Sequence, residues 1–165
     1  MDDAFIFVVM IIRLQRQNEA FHFIAANEDK QTVAIDASPA IGGNNLGLRP
    51  MQMMLAALGG CSAIDIIHIL NKQKQRLTDF QIEVEGKRQN DVVPALFETI
   101  QLTFLLTGEV VGSQVKRAVV LSIEKYCSVA KILTPTVKIF YTIILNEKNI
   151  YDGQLSQEVD TGTSE

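Results

Sequence analysis

Apolar residues recur along this chain with two different periods, which predict strands and helices. In residues 78–87, Phe80, Ile82 and Val84 alternate with polar side chains, and residues 99–107 repeat this alternation. A period of two is typical of a strand with one buried and one wet face. Similar apolar patterns, bounded by turn residues, predict four further strands, at residues 10–17, 21–26, 31–36 and 136–146.

Two other stretches carry helical spacing. Residues 51–74 lack proline and are apolar on most sides, which predicts a buried core helix that begins at Pro50. Residues 112–126 return to helical spacing, and Pro135 closes the region that follows them. The predicted order is therefore three strands, a helix, two strands, a helix and a strand, without an internal repeat.

The length, charge and ends of the chain limit its class. A chain of 165 residues can bury a core, and we expect one domain over residues 1–146. A net charge of −4 without a basic stripe argues against nucleic acid as a partner. The apolar run at residues 4–12 is too short to span a bilayer and lacks the marks of a signal peptide. We therefore expect a cytoplasmic protein without a membrane anchor.

Both ends of the chain depart from the domain pattern. Residues 1–9 either extend the first strand or precede the true start of translation at Met10. Residues 147–165 are polar and rich in Gly, Ser and Thr, which predicts a mobile tail.

The chemistry that stands out is a pair of cysteines, Cys61 and Cys127, which are the only two in the chain. Two thiols in a chain without an export signal favour redox chemistry over a structural bridge. Inert packing is the competing interpretation, because free cysteine is among the most buried residue types. Gly59 and Gly60 favour a reactive Cys61, since each weakens a helix by roughly 1 kcal/mol while allowing close approach to the thiol.

A reactive cysteine needs a feature that favours its thiolate. Either the glycine pair breaks the helix before Cys61, or a cation supplies the stabilisation. Arg49, at the junction of loop and helix, is the first candidate for that cation, and the alternatives are Arg13 and Arg16 on the opening strand.

Two other arrangements around Cys61 are less favoured by spacing. Asp65 and His68 share a helix face with Cys61, but His68 lies roughly 10 Å along the axis, which is too far for a triad. Two distant cysteines and two histidines also lack the spacing of a metal site, so we expect no metal.

Two segments resemble the OsmC/Ohr family of osmotically inducible and organic hydroperoxide resistance proteins, and its YhfA-like branch most. They are Pro50-Met51-Gln52 with the run Met54–Asp65, and the run Glu124–Val129. The resemblance covers roughly residues 10–146. It implies an α+β OsmC-like fold in which antiparallel sheets wrap a long central helix within an intertwined homodimer.

The resemblance also implies an activity, namely stress-related reduction of organic hydroperoxides. Cys61 would be the peroxidatic cysteine and Cys127 the resolving one, with no bound cofactor and an external dithiol reductant of the lipoyl type. Met51, Gln52 and Met54 would contribute to the wall that receives an apolar hydroperoxide.

The sequence departs from the family in the pair that activates the thiolate. Met51 occupies the position of the family's glutamate, ten residues before Cys61, and residues 18–23 contain no arginine at the site the family uses. Two alternatives to a peroxidase therefore stay open: a non-enzymatic redox-responsive or small-ligand-binding protein, and a structural homodimer with inert thiols.

Overall fold

The fold is known from a computed structural model that describes residues 9–155. The chain divides into two compact units, Met1–Met54 and Leu55–Glu165, whose boundary falls inside the long helix, and the single domain over residues 1–146 stays a prediction. The strands and helices follow in the order β1 (Arg13–Arg16), β2 (Phe23–Ala26), β3 (Thr32–Ile35), α1 (Pro50–Lys72), β4 (Arg76–Arg88), β5 (Phe97–Glu109), α2 (Gly112–Leu121), α3 (Ser128–Leu133), β6 (Lys138–Leu145) and β7 (Lys148–Gln154).

The first unit contains an antiparallel sheet of three short strands in the order β1-β2-β3. All three were predicted, and each is shorter than its apolar pattern. Between β1 and β2, the Arg16 guanidinium donates hydrogen bonds to the backbone carbonyls of Glu19 and Ala20. Arg16 therefore closes the opening hairpin, close in sequence to the segment where the family resemblance implied an arginine.

A buried aspartate organises the loop that leads to α1. The Asp36 carboxylate accepts hydrogen bonds from the backbone N–H groups of Ala37, Asn44 and Leu46, at 2.8, 3.0 and 3.0 Å. These bonds, that of Leu46 first, hold the pKa of Asp36 below its usual range. This loop, which contains Gly42, Gly43 and Gly47, is thus an ordered connection between β3 and α1.

The second unit contains a four-stranded sheet in the order β4-β5-β6-β7. β4 and β5 form a long antiparallel hairpin, and the two predicted strands in this region are confirmed. β5 and β6 pair in parallel, whereas antiparallel sheets were expected from the sequence. The parallel pairing follows from the connection, since α2 and α3 carry the chain back to the end at which β5 began.

The strand β7 was not predicted, because its sequence was assigned to the mobile tail at residues 147–165. Lys148–Gln154 instead pairs antiparallel with β6, although its polar residues hide the strand period. Gly153 lies against Tyr141, where an added Cβ would come within 2.4 Å of the ring. The rest of the predicted tail from residue 156 lies outside the described residues, as do residues 1–8 of the proposed start-site extension.

The predicted core helix is confirmed as α1, and it continues through Gly59 and Gly60 without a break. Gly59 is buried against β4, where an added Cβ would lie 3.1 Å from Val84. The opposite side of the helix is less covered than expected, because Ile64 is 71% exposed and Ile67 is 40% exposed.

Length and composition alone would also allow α1 to cross a membrane, since it is 23 residues long and strongly apolar. Only 28% of the most apolar 18-residue stretch of this helix is buried inside the chain. A single helix of this kind is weak evidence for a membrane span, because core helices of soluble proteins share the property.

Candidate active site

Both cysteines lie in the second unit, and the fold brings their thiols together. Cys61 sits in the middle of α1 and is partly exposed, whereas Cys127 precedes α3 and is fully buried. Both are free thiols. Burial first, and then the neighbouring Cys61 thiol, raise the pKa of the Cys127 thiol, so the two thiols are close enough to influence each other. Two neighbouring thiols can jointly give up two electrons to an oxidant and form one disulfide.

A local irregularity in the backbone delivers Cys127 to this position. Residues Ser122–Tyr126 form a π-helical turn between α2 and α3, a feature frequent at functional sites. The Cys127 N–H donates to the Ser122 carbonyl at 2.8 Å, which closes the wider turn. Cys127 then leaves the helical conformation, with φ −68° and ψ 101°, and becomes the N-cap of α3.

As N-cap, Cys127 uses its sulfur where serine or aspartate would normally use an oxygen. Its Sγ accepts a hydrogen bond from the Ala130 N–H at 3.4 Å. A backbone donor of this kind stabilises a thiolate more strongly than a thiol.

Ser62, the residue after Cys61, forms the other side of the Cys127 environment. Its hydroxyl is fully buried and lies 3.4 Å from Cys127 Sγ. The same hydroxyl is 2.8 Å from the Leu58 carbonyl oxygen, one turn earlier in α1. Cys127 Sγ itself lies 4.0 Å from that carbonyl, so hydroxyl and thiol share one acceptor.

Opposing influences act on the Cys127 thiol, and burial is the largest of them. Burial raises the pKa of Cys127, as does the neighbouring Cys61 thiol. Hydrogen bonds from Ser62 and from the Ala130 N–H lower the pKa, but the net direction is upward. Cys127 is therefore a protonated thiol at neutral pH, surrounded by donors that could support its ionised form.

A second buried serine, Ser122, joins the π-helical turn to α1 by a hydrogen bond. The Ser122 hydroxyl donates to the Ser62 carbonyl at 3.1 Å and approaches Asp65 Oδ2 at 3.5 Å. Sequence reasoning missed both serines. A signal was available for Ser62 alone, which is a small polar residue in an apolar helix directly after Cys61.

A cavity of about 580 Å³ opens beside this cluster. Gln73 is one of the residues that line the cavity, and its buried Oε1 accepts no hydrogen bond from any described residue. The cavity is lined by polar and apolar side chains from α1, from the residue that follows it, from the last residue of α2 and from the π-helical turn: Asp65, His68, Ile69, Lys72, Gln73, Leu121 and Tyr126. Asp65 and His68 thus share a cavity wall. The expected lack of a Cys61–Asp65–His68 triad stays a prediction.

The remaining predicted site residues lie in the first unit. Gln52 Oε1 accepts a hydrogen bond from the Arg49 N–H at 3.0 Å, so this pair caps the start of α1. Arg49 is exposed, Met51 is half-buried, and Met54 is 39% exposed. A role for Arg49 toward Cys61, and a substrate-binding role for Met51, Gln52 and Met54, stay predictions.

Comparison with known proteins agrees with the resemblance found in the sequence. The family model described as OsmC-like protein matches residues 42–142. Protein YhfA of Escherichia coli strain K12 is 45% identical over 94 residues, which cover 56% of this chain and 69% of that protein. A hypothetical protein from Aquifex aeolicus VF5 has 31% identity and a TM-score of 0.70, over 86% of this chain and 100% of that one.

A more distant structure is an organic hydroperoxide resistance protein OsmC from Legionella pneumophila. It has 15% identity and a TM-score of 0.59, over 82% of this chain and 96% of that one. At this identity the likeness concerns the fold alone, and it agrees with the OsmC-like fold expected from the sequence.

Proposed function

Because this chain belongs to the OsmC-like protein family, we propose that it is a thiol-dependent peroxidase that reduces organic hydroperoxides. One observation carries the proposal: two thiols from distant parts of the chain lie in one cluster, since Ser62, the neighbour of the partly exposed Cys61, lies 3.4 Å from the sulfur of the fully buried Cys127. This asymmetry suits a reaction in which one sulfur meets the peroxide and the other acts afterwards.

The first step belongs to Cys61, the accessible sulfur. Its thiolate attacks the terminal oxygen of the hydroperoxide, so that a sulfur–oxygen bond forms as the oxygen–oxygen bond breaks. The leaving alkoxide takes up a proton and departs as an alcohol. Cys61 is left as a sulfenic acid.

The second step belongs to Cys127. Its sulfur attacks the Cys61 sulfur and forms a disulfide, while the sulfenic oxygen leaves as water with the Cys127 proton. An external dithiol of the lipoyl class then reduces the disulfide by thiol exchange. No bound cofactor takes part in this scheme.

The order of the two steps follows from the environments of the sulfurs. Cys127 is 0% exposed, and burial raises the pKa of its thiol, so it is poorly suited to meet an external peroxide first. Its place in the same cluster as Cys61 suits it to the second step.

The proposal includes a homodimer in the cytoplasm. Ile64, exposed on α1, lies one turn from Gly60, whose missing Cβ would meet no atom within 4 Å. A second copy of the chain, packed on this face, would bury an apolar helix that one chain leaves open.

The proposal is tested by peroxide consumption at neutral pH with dihydrolipoamide as reductant. We expect cumene hydroperoxide to be consumed faster than hydrogen peroxide, and the Cys61→Ser variant to be inactive. Because Met51 replaces the glutamate of the family's activating pair, we expect slow turnover. No consumption above the rate of the Cys61→Ser variant would refute the peroxidase.

The cavity next to Asp65 supports a second candidate, a protein that binds a small polar ligand without turning it over. Asp65 and His68 line this cavity beside apolar side chains, so a small polar ligand could form hydrogen bonds with both of them. Unchanged thiols after peroxide treatment, together with ligand-induced NMR shifts at Ile69, would favour this candidate.

A further inference from the structure

The hydroxyl of Ser62 has a choice of two partners, and it can donate to only one at a time. One is the Leu58 carbonyl oxygen at 2.8 Å, and the other is Cys127 Sγ at 3.4 Å. While Cys127 carries its proton, the carbonyl is the better acceptor, because a thiol sulfur accepts hydrogen bonds weakly. Once Cys127 is ionised, its negative sulfur becomes the stronger acceptor.

We propose that Ser62 is a catalytic residue of the disulfide-forming step, in which its hydroxyl turns from the Leu58 carbonyl to the Cys127 thiolate. The inference rests on the proposed peroxidase function and assigns its second step a residue of its own. The Ala130 N–H, at 3.4 Å from the same sulfur, is the second donor. Together they form a two-donor pocket for a thiolate that would otherwise be buried without compensation.

The need for such a pocket follows from burial. Cys127 is completely enclosed, so water cannot solvate its thiolate, and an unpaired buried charge is costly. Attack on the sulfenic sulfur nevertheless requires the thiolate. Two donors at the sulfur reduce that cost at the moment of attack.

Ser62 does not change which bonds form and break in this step or where the proton goes. The sulfur–sulfur bond forms between Cys127 and Cys61, the sulfur–oxygen bond of Cys61 breaks, and the Cys127 proton leaves with the oxygen as water. Ser62 gains and loses no proton. Once the disulfide has formed, the sulfur is neutral again and the hydroxyl is free to return to the Leu58 carbonyl.

A purely structural serine is the competing explanation, because buried serines often donate to the carbonyl one turn earlier in a helix. The two roles differ in their consequences for Cys127. A structural serine would affect stability, whereas a thiolate donor would also affect the ionisation of Cys127 and the rate of disulfide formation.

The first experiment does not depend on peroxidase activity. In a Cys61→Ser background, the thiolate absorbance of Cys127 is titrated with and without Ser62→Ala. We expect loss of the hydroxyl to raise the pKa of Cys127 by about one pH unit. Ser128→Ala is the matched control, because Ser128 directly follows Cys127 in the chain. This substitution should leave the pKa of Cys127 unchanged. An unchanged pKa in Ser62→Ala would overturn the inference.

The second experiment separates the two chemical steps. With one equivalent of cumene hydroperoxide, Ser62→Ala should form the Cys61 sulfenic acid at the wild-type rate. It should form the disulfide about tenfold more slowly, as expected for loss of a hydrogen bond to a charged sulfur. Ser62→Thr keeps the hydroxyl and should restore the rate, and Ser62→Gly replaces Ser62→Ala if the latter does not fold.

The outcomes distinguish the two proposals. If Cys61 of the wild-type protein does not react with the peroxide, the peroxidase function fails while the titration still reports on the Ser62 hydrogen bond. If wild-type protein and Ser62→Ala form the disulfide at equal rates, the peroxidase stands and the role of Ser62 is refuted.

Discussion

Ser62 and Cys127 are 65 residues apart in the chain, yet the Ser62 hydroxyl lies 3.4 Å from the Cys127 sulfur inside the second unit. This contact links α1 to the N-terminus of α3, and it places the residue after Cys61 against the second thiol. The two cysteines therefore belong to one cluster, in which an exposed sulfur and a buried sulfur have different chemistry.

The two cysteines should behave differently when each is left alone. In Cys127→Ser, cumene hydroperoxide should leave a sulfenic acid at Cys61 that dimedone labels, because no second thiol remains to condense with it. In Cys61→Ser, the buried Cys127 should react no faster than an ordinary exposed thiol. Mass spectrometry of the labelled peptides measures both, and equal peroxide reactivity of the two variants would refute the assignment.

Alkaline pH should destabilise the reduced protein through Cys127. Burial raises the pKa of this thiol above its ordinary value of 9.0, so the folded state holds the proton more tightly than the unfolded state. The resulting stability is present below about pH 9 and is lost as pH rises through the folded pKa. The pKa of Tyr141 is also raised, mainly by burial, and contributes a loss of the same sign.

Urea unfolding of the reduced protein between pH 7 and pH 11 measures this effect. The free energy of unfolding should fall less steeply above pH 9 in Cys127→Ser than in the wild type, because the variant keeps only the Tyr141 contribution. Identical alkaline slopes would show that Cys127 is not the titrating group.

A charge on the exposed face of α1 should break the proposed dimer. Ile64 is 71% exposed within its own chain, so Ile64→Asp should hardly affect an isolated protomer but should destabilise an interface that covers the residue. Ile132 on α3 is 74% exposed, and Ile132→Asp is the matched control. Sedimentation should detect a dimer for the wild type and the control but a monomer for Ile64→Asp, and a monomeric wild type would contradict the proposal.

Removal of a cation that stabilises the Cys61 thiolate should slow the reaction of Cys61 with peroxide, since the thiolate is the nucleophile. We expect Arg49→Ala to have this effect. Met51→Glu should increase peroxide reactivity by helping to position the arginine. The rate of Cys61 oxidation by cumene hydroperoxide in a Cys127→Ser background measures the effect, and an unchanged rate in Arg49→Ala would direct attention to Arg13 and Arg16. Arg16 already donates to the hairpin carbonyls, which makes Arg13→Ala the better next variant.

The sequence predicts most of this fold because local pattern and tertiary burial agree. β4 and β5 alternate cleanly because one face of their hairpin is buried, and α1 is apolar along its whole length. β7 was missed because an edge strand needs little apolar character when its backbone pairs with β6.

The cysteines of the site were recognisable from their neighbours, whereas the serines were not. Nothing in the sequence around Ser62 and Ser122 indicates the partners of their hydroxyls. Only the fold buries both side chains and places the hydroxyls near Cys127 Sγ and the Ser62 carbonyl. The π-helical turn that presents Cys127 also has no period in the sequence, since it differs from an α-helix by one inserted residue.

A single turnover with one equivalent of cumene hydroperoxide tests the two-cysteine mechanism most directly. We expect both thiols to disappear together, one equivalent of cumyl alcohol to form, and peptide mapping to find Cys61 joined to Cys127 by a disulfide. Two thiols that remain free after the peroxide has been added, or a sulfenic acid on Cys61 that never becomes this disulfide, would contradict it.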